Sequence, residues 1–362
     1  MKNVLLPNHW FYNAGVIGLL SVLEKGGLNI YDAIDDYGAV HLDIFSSKDE
    51  IFDSWDELTK SALNISYKGK SGGTQKYYYS NQTEKSIKEK IQLFIKGVTK
   101  SRKPSAFTCG ICGRVELTTK SKAAFFNQAY SNILLASEQT FPNLYWGLSS
   151  NDFVCSNCDF VLFCHHLGLI PTQQGGLRSQ LFINAPSFKT MFLLNKLAKE
   201  LIGSEKNQDI KDKRQLLAMT VIEYTNRINS TLALWSTMNI EIVNKLQIWN
   251  KEKRTVEDKI EFLSIPFDVV KLISDRKIAS LLSDIGEFRV LNMVLNREYP
   301  KLIDFGYRLM RESLSEKPNE KLINDSLFIW KNKQYGNVGN TANKILKLYG
   351  LIEEKLNKEK LL

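Results

Sequence analysis

Histidine is scarce in this chain of 362 residues, which contains four, so general acid–base chemistry has few candidate residues. Three common enzyme signatures are also missing from the sequence: the phosphate-binding loop of nucleotide hydrolases, the glycine-rich dinucleotide fingerprint and the paired-histidine motif of zinc peptidases. These absences favour a binding protein over an enzyme. A nuclease centre built from scattered Asp and Glu residues would leave no such motif, and it is the enzymatic alternative.

Long apolar runs are missing too. No run approaches the roughly 18 residues that a membrane helix needs, and Pro7, Asn8 and His9 interrupt the first apolar stretch before it could serve as a signal peptide. The hydrophobic fraction of 43% and the charged fraction of 24% are typical of soluble globular proteins. The sequence therefore predicts a cytoplasmic protein that does not contact a membrane, with room for two or three domains.

Positive charge is concentrated in one segment. The chain carries a formal net charge of +9, and residues 68–104 alone hold ten Lys and Arg against two Asp and Glu. Such a segment favours polyanionic partners such as nucleic acid. A solvated, lysine-rich surface without a partner is the alternative.

The N-terminal half mixes predicted helices and strands. A helix is expected over Trp10–Lys25, with Gly15 and Gly18 leaving one face bare enough for another backbone to pack there. Residues 39–45 alternate like a strand, residues 62–68 and 76–80 read as a β-hairpin, and residues 83–97 read as an amphipathic helix.

The C-terminal half has long segments of helical period, beginning after Ser187 as a plausible N-cap. We therefore predict an α+β fold. Its N-terminal mixed domain would span residues 1–186 and its α-helical domain, a bundle, residues 187–362.

Four of the five cysteines form two CxxC pairs, Cys109 with Cys112 and Cys155 with Cys158, separated by 42 residues. A CxxC turn points two thiolates at one ion, and two such turns complete a tetrahedral four-sulfur shell. The odd number of cysteines argues against a disulfide framework. We predict one closed, structural zinc site, with an iron–sulfur cluster as the alternative.

The residues around this site carry two further expectations. Cys164 follows three apolar residues and reads as a buried small side chain, and His165 or His166 would serve as a ligand only in place of a cysteine. The 42-residue insertion is longer than a standard zinc-ribbon spacing, so it must fold as its own excursion, with a helix expected at residues 123–138.

Three stretches together resemble the CXXC–CXXC family of CRISPR-associated proteins: NHWFYNAGVIGLLSVLE at residues 8–24, the two distant CxxC pairs, and LFINAPSFKTMFLLNK at residues 181–196. Within that family the chain looks like the large subunit of a type I-B Cascade, the RNA-guided surveillance complex. The resemblance covers about residues 8–200.

The resemblance implies a non-catalytic antiviral protein that assembles with other Cascade subunits near the 5′ handle of the guide RNA. It would recognise the short motif beside the target in double-stranded DNA (the PAM), help to open the duplex and recruit the helicase-nuclease. The helical half would line the displaced strand.

Two groups of residues are candidates for the nucleic-acid contacts. Basic residues before the first CxxC pair would position phosphates, and these are Lys68, Lys70, Lys76, Lys100, Arg102 and Lys103. The segment PTQQGGLRSQ would let backbone approach a groove and offer polar side chains to it; its candidates are Gln173, Gln174, Gly175, Gly176 and Arg178. A zinc-stabilised scaffold that binds only protein is the remaining alternative.

Overall fold

The computed structural model describes residues 4–42, 48–67, 83–96, 105–119, 123–125, 153–174, 177–203, 213–228, 240–250, 255–315 and 338–360. The helices in these ranges are α1 Trp10–Lys25, α2 Ile30–Ala33, α3 Lys48–Tyr67, α4 Glu84–Lys96, α5 Ser156–Phe163, α6 His165–Gly168, α7 Phe188–Gly203, α8 Lys213–Ile228, α9 Phe267–Ile273, α10 Arg276–Ile285, α11 Phe288–Leu295, α12 Pro300–Ser313 and α13 Val338–Lys360. The strands are β1 Val4–Leu5, β2 Val40–His41, β3 Ser105–Thr108, β4 Val115–Thr118, β5 Ala124–Phe125, β6 Phe153–Val154, β7 Ile170–Gln174, β8 Leu177–Asn184, β9 Glu241–Asn250 and β10 Thr255–Ser264. The predicted α+β class is confirmed.

The chain divides into two compact units. The first comprises Met1–Phe192 and Val243–Phe262, and the second comprises Leu193–Ile242 and Leu263–Leu362. The first unit holds all five cysteines. The chain thus leaves the first unit, returns to it for one segment, and leaves it again.

Helix α1 is the centre of the first unit, and its predicted bounds are confirmed. Thirteen of its sixteen residues are buried, because the helix is apolar on nearly every side. The ring Nδ1 of His9 accepts the backbone N–H of Phe11 at 3.3 Å and caps the first turn. At the other end the helix closes at Gly26, and Gly27 takes a positive φ of 85° that favours glycine.

The face of α1 that carries Gly15 and Gly18 packs against another backbone, as the sequence predicts. A β-carbon on Gly15 would lie 2.2 Å from the carbonyl oxygen of Val161, and one on Gly18 would lie 2.1 Å from that of Cys164. The contact is reciprocal, since a β-carbon on Gly168 would lie 2.1 Å from the carbonyl oxygen of Ala14. Helix α1 therefore packs backbone against backbone on the segment that follows the second CxxC pair.

A four-stranded sheet in the order β10–β9–β8–β7 is the largest sheet of the described residues. Strands β7 and β8 are antiparallel, with Ile170 opposite Leu181 and Gln174 opposite Leu177. The hydroxyl of Ser179 on β8 donates to Oδ1 of Asn244 on β9 at 2.6 Å. None of these four strands is predicted by the sequence. Residues 187–362 are predicted to be helical, whereas the described part of that span contains the strands β9 and β10.

The predicted hairpin of residues 62–68 and 76–80 is wrong in its first strand, because residues 62–67 are the last turns of α3. A short apolar run is compatible with either period, and here the helical spacing set by the buried residues Ile51, Trp55 and Thr59 continues through it. Residues 68–82 lie outside the described part of the chain. The predicted helix of residues 83–97 is confirmed as α4, whose buried face is Ile87, Ile91 and Phe94.

Two shorter predictions are corrected in part. Of the strand expected at residues 39–45, the structure has β2, which pairs with β1; residues 43–45 lie outside the described part of the chain. The helix expected at residues 123–138 begins instead as strand β5, where Phe125 lies opposite Phe153 of β6. That pairing packs Phe125 and Phe153 against Phe107 in a small aromatic cluster, which favours extended backbone at Ala124–Phe125. The remainder of that predicted helix lies outside the described residues.

In the second unit, local sequence signals set the helix ends. Asp275 caps α10 by accepting the backbone N–H groups of Lys277 and Ile278, and Gly286 ends it with a φ of 65°. Glu287 then caps α11 through the N–H of Val290 at 2.7 Å. Pro300 occupies the first turn of α12, where its missing N–H costs nothing. Among the described helices, none combines the length and the apolarity that crossing a bilayer requires.

Candidate metal centre

The structure brings the four predicted cysteines together. The sulfurs of Cys109, Cys112, Cys155 and Cys158 all lie within 4.8 Å of one another. Four thiolates around one zinc at about 2.3 Å would have sulfur–sulfur distances of roughly 3.8 Å. The observed cluster is therefore close to the size of a tetrahedral shell, and the pair Cys112 and Cys155 is already at 3.6 Å. The residues fit a four-sulfur metal site.

The first pair sits in the turn between β3 and β4. The backbone N–H of Cys109 donates to the carbonyl oxygen of Arg114 at 2.8 Å, and that of Gly113 donates to the carbonyl oxygen of Cys109 at 2.9 Å. Gly113 has a φ of 69°, which explains why glycine follows the second cysteine of the pair. The antiparallel pairing of Thr108 with Val115 closes this turn into a knuckle.

The second pair lies where strand β6 passes into helix α5. Cys155 is the N-cap residue of α5, and Cys158 is in its first turn. The backbone N–H of Cys155 donates to the sulfur of Cys109 at 3.3 Å, the kind of contact that stabilises a thiolate. The N–H of Gly110 donates in turn to the carbonyl oxygen of Phe153 at 2.9 Å. The two knuckles are thus joined by backbone as well as by sulfur.

The pKa values of the four thiols shift in different directions because the thiols bond one another. Hydrogen bonds from the other three cysteines hold the pKa of Cys109 far below its ordinary value. Hydrogen bonds with Cys109, and then with Cys112, raise the pKa values of Cys155 and Cys158. Thiolates are the form of cysteine that binds a metal ion, so an ion bound here would take the place of the thiol protons.

Other side chains surround the sulfurs, and sequence reading did not find them. Tyr12 of α1 is 2% exposed; burial first, and then the negative charge of the cysteines, raises its pKa well above the ordinary value. Glu116 of β4 accepts both the backbone N–H and the hydroxyl of Ser156, at 3.0 and 3.1 Å. A carboxylate there caps the N-terminus of α5 and complements its dipole. Glu116 lies seven residues after Cys109 with no local pattern that marks it.

Cys164, His165 and His166 lie in the core instead of joining the four-sulfur cluster. Cys164 is fully buried, and burial raises its pKa well above the ordinary thiol value. The ring of His165 bonds the carbonyl oxygen of Leu162 through Nδ1 at 2.8 Å, and that of His166 bonds the hydroxyl of Thr59 through Nε2 at 3.0 Å. The interpretation of Cys164 as a buried apolar residue is confirmed.

Helix α4 links the end of the basic segment to the site. Lys90 of α4 forms an ion pair with Asp159, the residue after Cys158, and both side chains are largely buried. Phe94 packs on Phe160 of α5 with ring centroids 4.9 Å apart. The chain between α4 and the first knuckle, residues 97–104, contains Lys100, Arg102 and Lys103 and lies outside the described residues.

Some of the remaining nucleic-acid candidates lie within the described residues and others lie outside them. Lys68, Lys70, Lys76, Gly175 and Gly176 lie outside the described residues. The backbone of the other three belongs to a hairpin, with Gln173 and Gln174 on β7 and Arg178 on β8, where Gln173 lies opposite Arg178. The segment 171–180 is therefore two paired strands separated by two glycines. A Gly-Gly pair between runs of alternating residues was the signal that could have found it.

A comparison with known protein families gives a match to part of the chain. No curated protein and no solved structure matches the chain. Residues 102–170, about a fifth of the chain, match the family model described as CRISPR-associated protein (Cas_CXXC_CXXC). The matched range contains both knuckles, β3 to α6 and all five cysteines. The four-cysteine centre is thus the part of this chain that is similar to CRISPR-associated proteins, and the match supports a CRISPR-associated role.

Proposed function

We propose that this chain is the non-catalytic large subunit of a cytoplasmic type I Cascade complex, and that its four-cysteine centre holds a structural zinc ion. The observation that carries the proposal is the cluster of four sulfurs within 4.8 Å, in the segment that matches the CRISPR-associated family model. When bound, zinc supplies no chemistry beyond holding the β3–β4 turn and the start of α5 together.

The proposed partners are nucleic acids and proteins of that complex. In RNA-guided systems base pairing reads the target sequence, while protein reads a short duplex motif and holds the backbones through charge. The basic segment before the first knuckle would contact phosphates, and the β7–β8 hairpin would enter the duplex beside the target. The guide RNA 5′ handle, the other Cascade subunits and the helicase-nuclease would dock around these surfaces, with helices of the second unit along the displaced strand.

The first experiment is co-expression of the chain with the neighbouring complex subunits and a guide RNA, followed by purification and metal analysis. We expect stoichiometric recovery of the chain with one zinc per copy. A chain that stays out of the complex would overturn the subunit assignment. Recovery of iron and not zinc would show that the site holds an iron–sulfur cluster.

A second experiment tests the electrostatic contacts. The purified chain should bind duplex DNA weakly and without sequence preference, and the affinity should fall steeply as salt rises. Changing Lys100, Arg102 and Lys103 to Gln should lower that affinity and the steepness of the salt dependence. The matched control changes Lys25, Lys60 and Lys259 to Gln, because each of these lysines lies outside the basic segment and already pairs with a carboxylate. Binding that does not change with salt would contradict the proposal, and metal-dependent cleavage of DNA would favour the nuclease.

A further inference from the structure

Asn13 joins three segments of the first unit through one buried amide. It lies on α1 and is 1% exposed. Its Oδ1 accepts the backbone N–H of Asn8 at 2.8 Å, and its Nδ2 donates to the carbonyl oxygen of Asn8 at 2.7 Å and to Oδ1 of Asn184 at 2.9 Å. A buried amide is costly to leave without partners, so a side chain bonded in this way fixes the segments that it joins.

Asn8 extends these bonds to the first knuckle. Its Nδ2 donates to the carbonyl oxygen of Ile111 at 2.8 Å, and its Oδ1 accepts the backbone N–H of His9 at 2.9 Å. Ile111 lies between Cys109 and Cys112. The position of its carbonyl group therefore depends on the fold of the CxxC turn, which an ion in the four-sulfur site would hold closed.

Asn184 is at the other end of the network. It is the last residue of β8, the strand that pairs with β7 and contains Arg178. Three consecutive hydrogen bonds thus lead from a carbonyl inside the first CxxC pair, through Asn8 and Asn13, to the β7–β8 hairpin. We call these four residues (Asn8, Asn13, Ile111 and Asn184) the asparagine bridge.

The second knuckle is fixed to the same helix. Gly15 and Gly18 of α1 admit the carbonyl groups of Val161 and Cys164, which follow Cys158 in α5 and at its end. The first knuckle is thus bonded to Asn8, just before α1, and the helix that begins at the second knuckle packs on α1 itself. An ion that holds the two knuckles together would restrict Asn8 through the first knuckle and α1 through the second. Through the asparagine bridge it would also restrict the end of β8.

We propose that Asn8 and Asn13 are positioning residues that couple occupancy of the four-cysteine site to the ordering of the β7–β8 hairpin at residues 170–184. The hairpin is held in its place for nucleic acid when the metal is bound and is released when it is lost. This inference rests on the proposed function, in which the site holds zinc and the hairpin contacts nucleic acid.

Hydrogen–deuterium exchange on the full chain tests the coupling, with Zn²⁺ bound and after its removal by a chelator. In the wild type we expect zinc removal to speed exchange at residues 177–184 by at least about tenfold, while α10 in the second unit is unchanged. Asn8 is exposed, so Asn8→Ala should fold and bind one zinc. In that variant residues 177–184 should exchange fast even with zinc, and chelation should change the rate by less than about threefold.

Asn29→Ala is the matched control. Asn29 is an exposed asparagine of the same unit that caps α2 through the N–H of Tyr31, outside the asparagine bridge. It should retain the full response of the wild type to zinc removal. Asn184→Ala breaks the bridge at its other end and should behave like Asn8→Ala, so it decides the question if Asn8→Ala fails to fold.

Three results would overturn the coupling: a wild-type response in both bridge variants, a wild-type hairpin that does not respond to zinc removal, or an equal response in α10, which would make the metal a general stabiliser. The measurement uses the isolated chain and zinc alone. A chain that shows the coupling yet stays out of the complex would refute the proposed function and leave the coupling standing.

Discussion

The α-carbon of Gly15 faces the carbonyl group of Val161 with no room for a side chain, since a β-carbon there would lie 2.2 Å from the oxygen. The neighbour is backbone, which cannot turn aside as the end of a side chain can. This approach brings α1 and α5 together, and α5 begins at the second knuckle.

Gly15→Ala should therefore destabilise the first unit. The steric conflict should outweigh the helix propensity gained, and we expect a net loss of about 1–3 kcal/mol in the free energy of unfolding by urea. Gly350→Ala is the control, because a β-carbon on Gly350 of α13 would meet nothing within 4 Å. That variant should gain about 0.5–1 kcal/mol. Equal stabilities for the wild type and Gly15→Ala would disprove the close packing.

Cys109→Ser should lose the metal and lower the yield of soluble protein, because structural zinc contributes its binding energy directly to folding. Metal analysis and the yield of soluble protein measure both effects. Cys164→Ala serves as the control: its thiol is equally buried but lies outside the four-sulfur cluster, so one zinc per chain should be retained. A soluble, metal-free and cooperatively folding Cys109→Ser protein would argue against the structural role.

Acid should weaken the first unit through its buried histidines. Burial lowers the pKa of His166 to about 3 and that of His165 well below its ordinary value. An unfolded histidine has a pKa of about 6.5, so below that pH the unfolded chain binds protons that the native one does not. Stability is therefore complete above about pH 6.5 and falls as the pH drops, by roughly 1.4 kcal/mol per pH unit for each histidine.

His166→Gln isolates this effect, because glutamine can keep the hydrogen bond to Thr59 without titrating. We expect its free energy of unfolding between pH 6.5 and 5 to depend on pH less steeply than the wild type, by roughly 1.4 kcal/mol per pH unit. Comparing the two proteins cancels the contribution of acid-induced metal loss. Identical slopes would mean that His166 does not stay neutral in the native state.

Lys90→Met should lower the free energy of unfolding by more than the loss of an ordinary surface lysine does. Its partner Asp159 has a side chain that is 13% exposed, so the substitution takes the lysine cation away from a largely buried carboxylate. We expect a loss of about 1–3 kcal/mol, restored in part by adding Asp159→Asn. Lys25→Met is the comparison, since Lys25 pairs with Glu57 at an exposed site and should cost less than about 1 kcal/mol. Equal losses of unfolding free energy in the two variants would show that the ion pair of Lys90 and Asp159 stabilises the protein no more than a surface pair.

The sequence predicted the parts of the molecule where one local signal decides. The bounds of α1 follow from a long apolar segment and its terminal glycines, and the four sulfurs follow from two CxxC turns. Gly15 and Gly18 even predicted a backbone contact, although only the structure shows that its partner is the segment after the second knuckle.

The features that the sequence did not predict are of two kinds. Some depend on contacts between distant residues, and others lie in segments whose apolar spacing fits both a helix and a strand. Residues 62–67 alternate like a strand but continue a helix whose buried face was set earlier, at Ile51 and Trp55. Strand β9 has Asn244 buried between apolar residues, a position that makes sense only beside its partner Ser179, 65 residues earlier. Asn8 and Glu116 likewise bond residues next to the cysteines, Ile111 and Ser156, across 103 and 40 residues, and no local pattern distinguishes them.

The return of residues 243–262 to the first unit has a consequence for how this protein can be divided or evolve. The strands β9 and β10 are half of the four-stranded sheet, yet they are encoded after the helices α7 and α8. A gene split near residue 192 would separate the cysteine-bearing half from those strands and leave β8 with an unpaired edge open to aggregation. A shorter relative that kept a working metal centre would therefore have to retain the β9–β10 segment or replace it with another strand. Loss of the helices on either side, by contrast, would leave the sheet its full set of strands.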